Sequence, residues 1–220
     1  KTQSTRSTIK LQGLIIHLEF LLLGLITGLS LIIAIGAQNI FVIEQGLKKQ
    51  NIFLICLICS VSDLILIFLG IFLFHYFIQY FSSEIELIFN ILLIIFLLHF
   101  IYSKIKKFNY GISIKNDLKY NSKKNIIFKT LGFTYLNPHV YSDTVFFLGN
   151  FSKNFIVSEK INFGIGAALS SFIFFFLIGY TAKYLSKFIH GKKLWNTINL
   201  LIIIFMSSLI LLIISDILIS

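Results

Sequence analysis

The 220-residue chain is too apolar for a water-soluble domain. Its residues are 57% hydrophobic and only 13% charged, whereas typical soluble domains are about half apolar and about a quarter charged. A soluble protein of this size could not cover its surface with so few polar groups, so lipid must be the solvent for most of the chain. The composition excludes secreted disulfide scaffolds, disordered tails and water-soluble nucleic-acid binders.

The net charge of +10 comes largely from lysines clustered between long apolar runs. That distribution is typical of membrane-protein loops that face the cytoplasm, and not of a nucleic-acid-binding surface. We therefore expect a lipid bilayer around the chain and no nucleic-acid partner. Cys56 and Cys59 lie in an apolar run without a second cysteine pair, which indicates two small buried residues and no zinc site.

Six apolar stretches approach or exceed the length that crosses a bilayer core as a helix, about 20 residues. They are 18–43, 52–81, 85–102, 126–149, 161–182 and 197–219. Lipid excludes unpaired backbone groups, and the alternating pattern of a membrane β-barrel is absent, so the stretches are predicted to be helices. The predicted fold is an all-α polytopic membrane protein with about six hydrophobic helices, of which five or six span the membrane.

A basic loop divides the predicted helices into two halves. The organisation we predict is a polar N-terminal segment at 1–17, a three-helix half at 18–102, a basic cytoplasmic loop at 103–125 and a second three-helix half at 126–220. Three helices per half would give halves of opposite orientation, the pattern of a 3+3 inverted repeat, although the internal sequence similarity is weak. The first apolar run is too long for a signal-peptide core, so we expect it to remain in the mature protein.

Lysines in the loops predict the orientation. The loops at 44–51, 103–125 and 183–193 carry most of them, which puts these loops in the cytoplasm and the C-terminus outside. Six spans would also put the N-terminus outside, whereas the basic residues of segment 1–17 favour the inside. Five full spans would satisfy both preferences, so the sequence leaves the side of the N-terminus open.

Two aspartates lie inside predicted membrane helices. Asp63 is near the middle of the second helix, and Asp143 follows Pro138 in the fourth. An aspartate at the centre of a membrane helix costs about 2.5–3.5 kcal/mol on insertion scales, so two are seldom retained for packing alone. We predict that they bind substrate or carry a proton. A structural role, in which each bonds a neighbouring helix, is the alternative.

Each half has a polar interruption in its first helix. The interruptions are Gly36-Ala37-Gln38-Asn39 and Asn137-Pro138-His139. Proline opens a helix, which lipid tolerates only where protein or a water-filled cavity pairs the freed backbone groups. The N-termini of half-helices attract carboxylates and exposed carbonyls attract cations, so such breaks suit a zwitterion with an additional positive charge. A kink that is fully paired within the protein is the alternative at Pro138.

No motif for a nucleotide, metal ion or other cofactor stands in a supporting context. His75 and His99 lie in apolar runs without a cysteine or carboxylate at ligand spacing, so neither a metal site nor a cofactor is expected. Gly24 and Gly28 form a G-x-x-x-G pattern, which indicates a close crossing with another helix; dimerisation is the alternative. A homo-oligomer is one assembly that the sequence allows.

Three motifs follow one another along the chain. Residues 36–50 are similar to the pattern G-P-Q-N-x-F-V-x-x-Q-G-[IL]-[RK]-[RK]-Q, Ser62-Asp63 is an S-D pair, and residues 136–144 are similar to L-N-P-H-V-Y-L-D-T. In this order, and with Ile198-Asn199-Leu200, they resemble the LysE/ArgO family of basic amino-acid exporters, and the arginine-exporting branch is the closer one. Ala37 stands where that family has proline, and Ser142 where it has an apolar residue.

The resemblance implies export of L-arginine, with L-lysine or canavanine as further cargoes, across a bacterial inner membrane. It implies secondary transport driven by the proton gradient or the membrane potential. Asp63 and Asp143 would bind the guanidinium, or one would bind it while the other carries a proton. Gln38, Asn39 and Asn137 would hold the α-carboxylate and the α-amine.

Three other functions remain open. An exporter of neutral amino acids such as threonine or homoserine would leave the aspartates with proton or structural roles. His139 and Asp143 are four residues apart, a spacing that a membrane-embedded enzyme could use, but no nucleophile motif accompanies them. A structural subunit would not need two carboxylates at the centre of the membrane. We therefore expect a transporter and not an enzyme.

Overall fold

The computed structural model describes residues 2–33, 36–80, 83–109, 122–188 and 192–219, and the regular elements within these ranges are helices. Five helices come first: α1 (Thr2–Ile32), α2 (Ala37–Leu47), α3 (Ile52–Tyr80), α4 (Ser83–Asn109) and α5 (Lys123–Tyr135). They are followed by α6 (Pro138–Tyr141), a π-helical turn (Ser142–Phe147), α7 (Leu148–Phe151), α8 (Val157–Leu185), a 3-10 turn (Ser186–Phe188) and α9 (Lys192–Ile219). The predicted all-α class is confirmed.

Three stretches of helix are each long and apolar enough to cross a bilayer. They are Ile52–Phe74 in α3, Val157–Phe188 in α8 with its 3-10 turn, and Asn196–Ser215 in α9. His17–Ile32 and Ala37–Leu47 together form a fourth candidate, either a broken span or a re-entrant loop, and α4 contributes a shorter apolar stretch, Leu87–Ser103. The described residues thus contain three or four candidate spans, and the count of six and the inverted repeat stay predictions.

The predicted segment at 126–149 is divided rather than continuous. α5 has 13 residues and ends at Tyr135, and helix resumes at Pro138. The residue before a proline disfavours helical conformation, whereas proline itself suits the first position of a helix, where its missing N–H would not be bonded anyway. None of α5, α6 and α7 is long enough by itself to span a bilayer.

Two predicted regions are described in part. Segment 1–17 is helical from Thr2 onward and continuous with α1. The basic loop predicted at 103–125 begins within α4 and ends within α5, and its residues 110–121 lie outside the described residues. The division into halves and the cytoplasmic position of this loop therefore stay predictions.

The chain forms two compact units, each of which draws on both halves of the sequence. The first unit comprises Lys1–Ala34, Ser60–Tyr80 and His139–Phe174, and the second comprises Ile35–Cys59, Phe81–Pro138 and Phe175–Ser220. The first unit has an apolar core contributed by α3, α7 and α8: Ile67, Ile71, Leu148, Phe163, Ala167 and Ala168.

Glycines bring α1 and α8 together in the first unit. A Cβ at Gly24 would overlap the backbone carbonyl of Phe163, and one at Gly28 would lie 3.0 Å from the Cα of Ala167. From the other side, a Cβ at Gly166 would overlap the backbone carbonyl of Leu21. The predicted close crossing at Gly24 and Gly28 is confirmed, and the partner is α8 of the same chain.

In the first unit, α3 buries polar side chains and exposes several apolar ones. Ser60 and Asp63 are 0% and 4% exposed, whereas Ile65 and Phe72 are both 45% exposed. A helix in water would show the reverse distribution. A helix in lipid turns its polar side chains toward other protein groups, so the pattern fits a membrane-spanning position.

In the second unit, phenylalanines pack α2 against α4 and α5. Phe41 stacks on Phe133 with ring centroids 4.7 Å apart, and Phe96 and Phe100 meet Phe133 edge-on at 4.8 Å and 5.1 Å. Phe41 and Phe133 are both fully buried. Because aromatic rings contribute large contact areas, this cluster fixes α2 one turn after its first residue.

Candidate functional site

Asp63 lies buried on α3, where a serine of α8 binds it. The Ser171 hydroxyl donates a hydrogen bond of 2.7 Å to Asp63 Oδ2. The Ser60 hydroxyl in turn donates to the backbone carbonyl of Ser171 at 3.4 Å. These two bonds join α3 to α8 and set the orientation of the carboxyl group.

Asp143 lies in the π-helical turn. Its carbonyl accepts a hydrogen bond from the N–H of Leu148, five residues later rather than the four of an α-helix. Single π turns within helices occur frequently at functional sites. Gly70 allows this turn to approach α3 closely, since a Cβ at Gly70 would lie 2.6 Å from the Cα of Val145. The π turn therefore packs directly on the backbone of α3.

The first unit brings the two aspartates to the same helix interface. Asp63 and Gly70 are seven residues apart and share one face of α3, and Val145, which contacts Gly70, follows Asp143 by two residues. The two carboxyl groups interact electrostatically, so their negative charges would repel each other. In the described part of the chain, neither forms an ion pair with a lysine or arginine. The arrangement is suited to a proton or to a cation from outside the chain.

His139 lies four residues before Asp143 and interacts with it electrostatically. The histidine is exposed and Asp143 is half-buried. Across the described ranges, no group of three or more histidine, cysteine, aspartate or glutamate side chains is arranged to hold a metal ion.

In the second unit, Gly36 forms the N-cap of α2 in extended conformation, with φ −109° and ψ −178°. Glycine offers no side chain to accept hydrogen bonds from the first-turn amides. The side chain of Asn137 is adjacent, because a Cβ at Gly36 would lie 4.0 Å from Asn137 Nδ2. Ala37 occupies the first helical position, which also suits proline, the residue that the family pattern has here.

Three amide side chains near these helix ends are buried. Gln38, Asn39 and Asn137 are each 6% exposed. Asn39 and Asn137 interact with other groups of the chain. Gln38 Nε2 has no hydrogen-bond partner among the described residues, and a buried donor left unpaired costs about 1–3 kcal/mol. This nitrogen is therefore suited to an acceptor that the described residues do not supply.

The predicted site residues fall into two groups. Asp63, Asp143 and His139 belong to the first unit; Gly36, Gln38, Asn39, Asn137 and Pro138 belong to the second. Sequence reasoning missed Ser171, although the adjacent pair Ser170-Ser171 within an apolar helix was a sign of it, since hydroxyls in membrane helices often bond across helices.

Cys56 and Cys59 are buried thiols in the second unit. The Cys56 thiol donates a hydrogen bond of 3.2 Å to the carbonyl of Phe175 on α8. A Cβ at Gly179 would lie only 2.7 Å from Cys56 Sγ, so α8 packs tightly here. The prediction of two small buried residues is confirmed.

Comparison with known families gives a match over most of the chain. The family model described as LysE type translocator matches residues 29–216. The chain belongs to this family. It is therefore a multi-pass membrane transport protein and not an enzyme.

Several curated relatives of this translocator are named as arginine exporters. This chain is 31% identical over 185 residues to the Arginine exporter protein ArgO of Pectobacterium atrosepticum. The alignment covers 80% of this chain and 87% of that relative. The ArgO proteins of Klebsiella pneumoniae strain 342 and Escherichia coli O157:H7 are 32% and 33% identical over 181 and 182 residues, with 81% of this chain and 85% of each relative covered. No solved structure matches the chain. The resemblance predicted from the three motifs is confirmed.

Proposed function

We propose that this translocator exports basic amino acids, L-arginine above all, from the cytoplasm. The names of its relatives support an arginine cargo. L-Lysine and canavanine are further proposed cargoes, because each also has an extended side chain that can carry a positive charge. The acidic pair of the first unit supports a cationic cargo independently of any name.

The single observation that carries the proposal is the placement of Asp63 and Asp143. Asp63 is 4% exposed and bound by Ser171, and Asp143 lies on the π turn that packs on the same helix. A buried and a half-buried carboxylate close together without a cation are unfavourable, and a guanidinium offers them a planar set of charged donors. We propose that both bind the guanidinium, or that one binds it while the other carries a proton.

Gln38, Asn39 and Asn137 are proposed to contact the cargo during transport. They stand at the interrupted helix ends around Gly36 and Pro138-His139. Irregular backbone at membrane depth is tolerated where it lines a water-filled cavity or is buried in protein. Amide side chains at such places offer both donors and acceptors to an amino acid.

We propose secondary transport across the inner membrane by alternating access. Moving one positive charge outward against an inside-negative potential costs about 2.3 kcal/mol per 100 mV. Exchange for an entering proton would cancel this electrical cost. In the proposed orientation, the basic loop at 103–125 faces the cytoplasm and the C-terminus lies outside.

Efflux of two isosteric cargoes from proteoliposomes tests the proposal. L-Citrulline has nearly the shape of L-arginine, but a neutral ureido group replaces the guanidinium. We expect arginine efflux at least about tenfold faster under an inward proton gradient, since a hydrogen bond to a charged group contributes about 1.5–3 kcal/mol. Equal efflux of arginine, citrulline and threonine would indicate a neutral-cargo exporter, and absence of efflux would overturn the proposal.

A further inference from the structure

We infer that the N-terminus of α2 binds the α-carboxylate of the cargo, with the side-chain amide of Gln38 as a donor. The inference rests on the proposed function, because it assigns one part of the same cargo to one place in the second unit. It restricts the cargo to cationic compounds with a free carboxylate next to the amine. Cationic amines without a carboxylate would be excluded.

The first turn of α2 is the positive end of a helix. The helix has 11 residues, and its N-cap, Gly36, provides no side-chain acceptor. No acidic residue lies in the first turn. The acid further along α2, Glu44, forms an ion pair with Lys48 at 2.5 Å. The first-turn amides and the helix dipole therefore favour an anion from elsewhere.

Gln38 points independently to the same kind of ligand. Its side chain is 6% exposed, and Nε2 has no partner among the described residues. Gln38 is the second residue of α2, and side chains on a helix lean toward its N-terminus. A carboxylate has two oxygens and about four acceptor sites, enough to accept from Gln38 Nε2 and from backbone amides together.

The surroundings hold this helix end in place. Phe41, one turn after Ala37, is fully buried and stacks on Phe133. Asn137 lies beside Gly36, with its Nδ2 4.0 Å from a Cβ built on Gly36. Donors on a fixed element lose little freedom when a ligand binds, which favours affinity.

Agmatine tests the inference, because it keeps the guanidinium and the amine of L-arginine and lacks only the carboxylate. Efflux of each compound is measured from proteoliposomes that contain the wild type, Gln38→Met or the control Gln45→Met. Gln45 lies on the same helix and is 4% exposed, but near its other end. We expect the wild type to prefer arginine, and Gln38→Met to lose about tenfold or more in arginine kcat/KM with agmatine unchanged. Gln45→Met should keep the wild-type preference.

A second variant covers the case in which Gln38→Met does not fold. Gln38→Glu keeps the size and polarity of the side chain but adds a negative charge, so it should slow arginine and speed agmatine. Equal export of both compounds by the wild type would overturn the inference and leave the proposed function standing, as would an unchanged preference in the Gln38 variants. If the folded wild type exported neither arginine nor agmatine, both the inference and the proposed function would be overturned.

Discussion

Ser171 determines how Asp63 is presented within the first unit. Its hydroxyl donates to Asp63 Oδ2 at 2.7 Å, while Ser60 bonds the carbonyl of Ser171 from α3. The neighbouring Ser170 instead bonds the carbonyl of Ala167 within its own helix at 2.6 Å. Two adjacent serines therefore have different roles, and only one of them acts on the carboxylate.

Ser171→Ala should lower arginine efflux about tenfold, because it removes a hydrogen bond to a charged group. Ser170→Ala is the matched control and should stay within about twofold of the wild type. Initial efflux rates in proteoliposomes with equal amounts of folded protein make the comparison. Equal losses in the two variants would contradict a specific role for Ser171.

At this scale the sequence predicts the aspartates better than their partners. Asp63, Asp143 and Gln38 are conspicuous because polar side chains are costly in apolar helices. Ser171 is not conspicuous in the sequence, because a serine in a helix commonly donates a hydrogen bond to a carbonyl of the preceding turn, as Ser170 does. The bond from Ser171 spans 108 residues, so the serine pair does not reveal which distant residue it binds.

The crossing of α1 and α8 depends on the absence of side chains. At Gly24 a Cβ would overlap the Phe163 carbonyl, and at Gly166 one would overlap the Leu21 carbonyl. Main chains cannot yield as flexible side chains do, so the helices would have to separate. Such close approach is how membrane helices gain van der Waals contact without a hydrophobic driving force.

Gly24→Ala should lower the free energy of unfolding by about 1–3 kcal/mol, as overpacking of a filled interior does. Thermal unfolding in detergent would show it as a lower Tm. Leu22→Ala is the control, since Leu22 lies on the same helix and is 46% exposed. An unchanged Tm with an altered oligomeric state would instead favour the dimerisation alternative.

Helix ends follow local chemistry, whereas the π turn does not. α2 begins directly after Gly36 and α6 begins at Pro138, residues that bear directly on helix geometry. No residue type in Ser142–Phe147 predicts the π turn. The spacing of apolar residues does not distinguish backbone hydrogen bonds between residues five apart from those between residues four apart. Hydropathy alone also predicts one continuous helix at 126–149, whereas the structure has a break between Tyr135 and Pro138.

For the whole molecule, composition was sufficient for the class but not for the number of spans. A chain with 57% hydrophobic residues must be solvated by lipid, and the regular elements that the structure describes are helices. The count of spans depends on where apolar runs break, and that is set by packing between distant segments. Membership of the LysE type translocator family then identifies a transporter built on this fold.

The central claim is that Asp63 and Asp143 bind a cationic cargo. The most direct measurement is efflux of labelled L-arginine from proteoliposomes with the wild type, Asp63→Asn, Asp143→Asn and the control Glu84→Gln, an exposed carboxylate at the start of α4. We predict that each aspartate variant loses about tenfold or more of the rate at equal protein level, and that Glu84→Gln does not. Wild-type rates in both aspartate variants would contradict the claim.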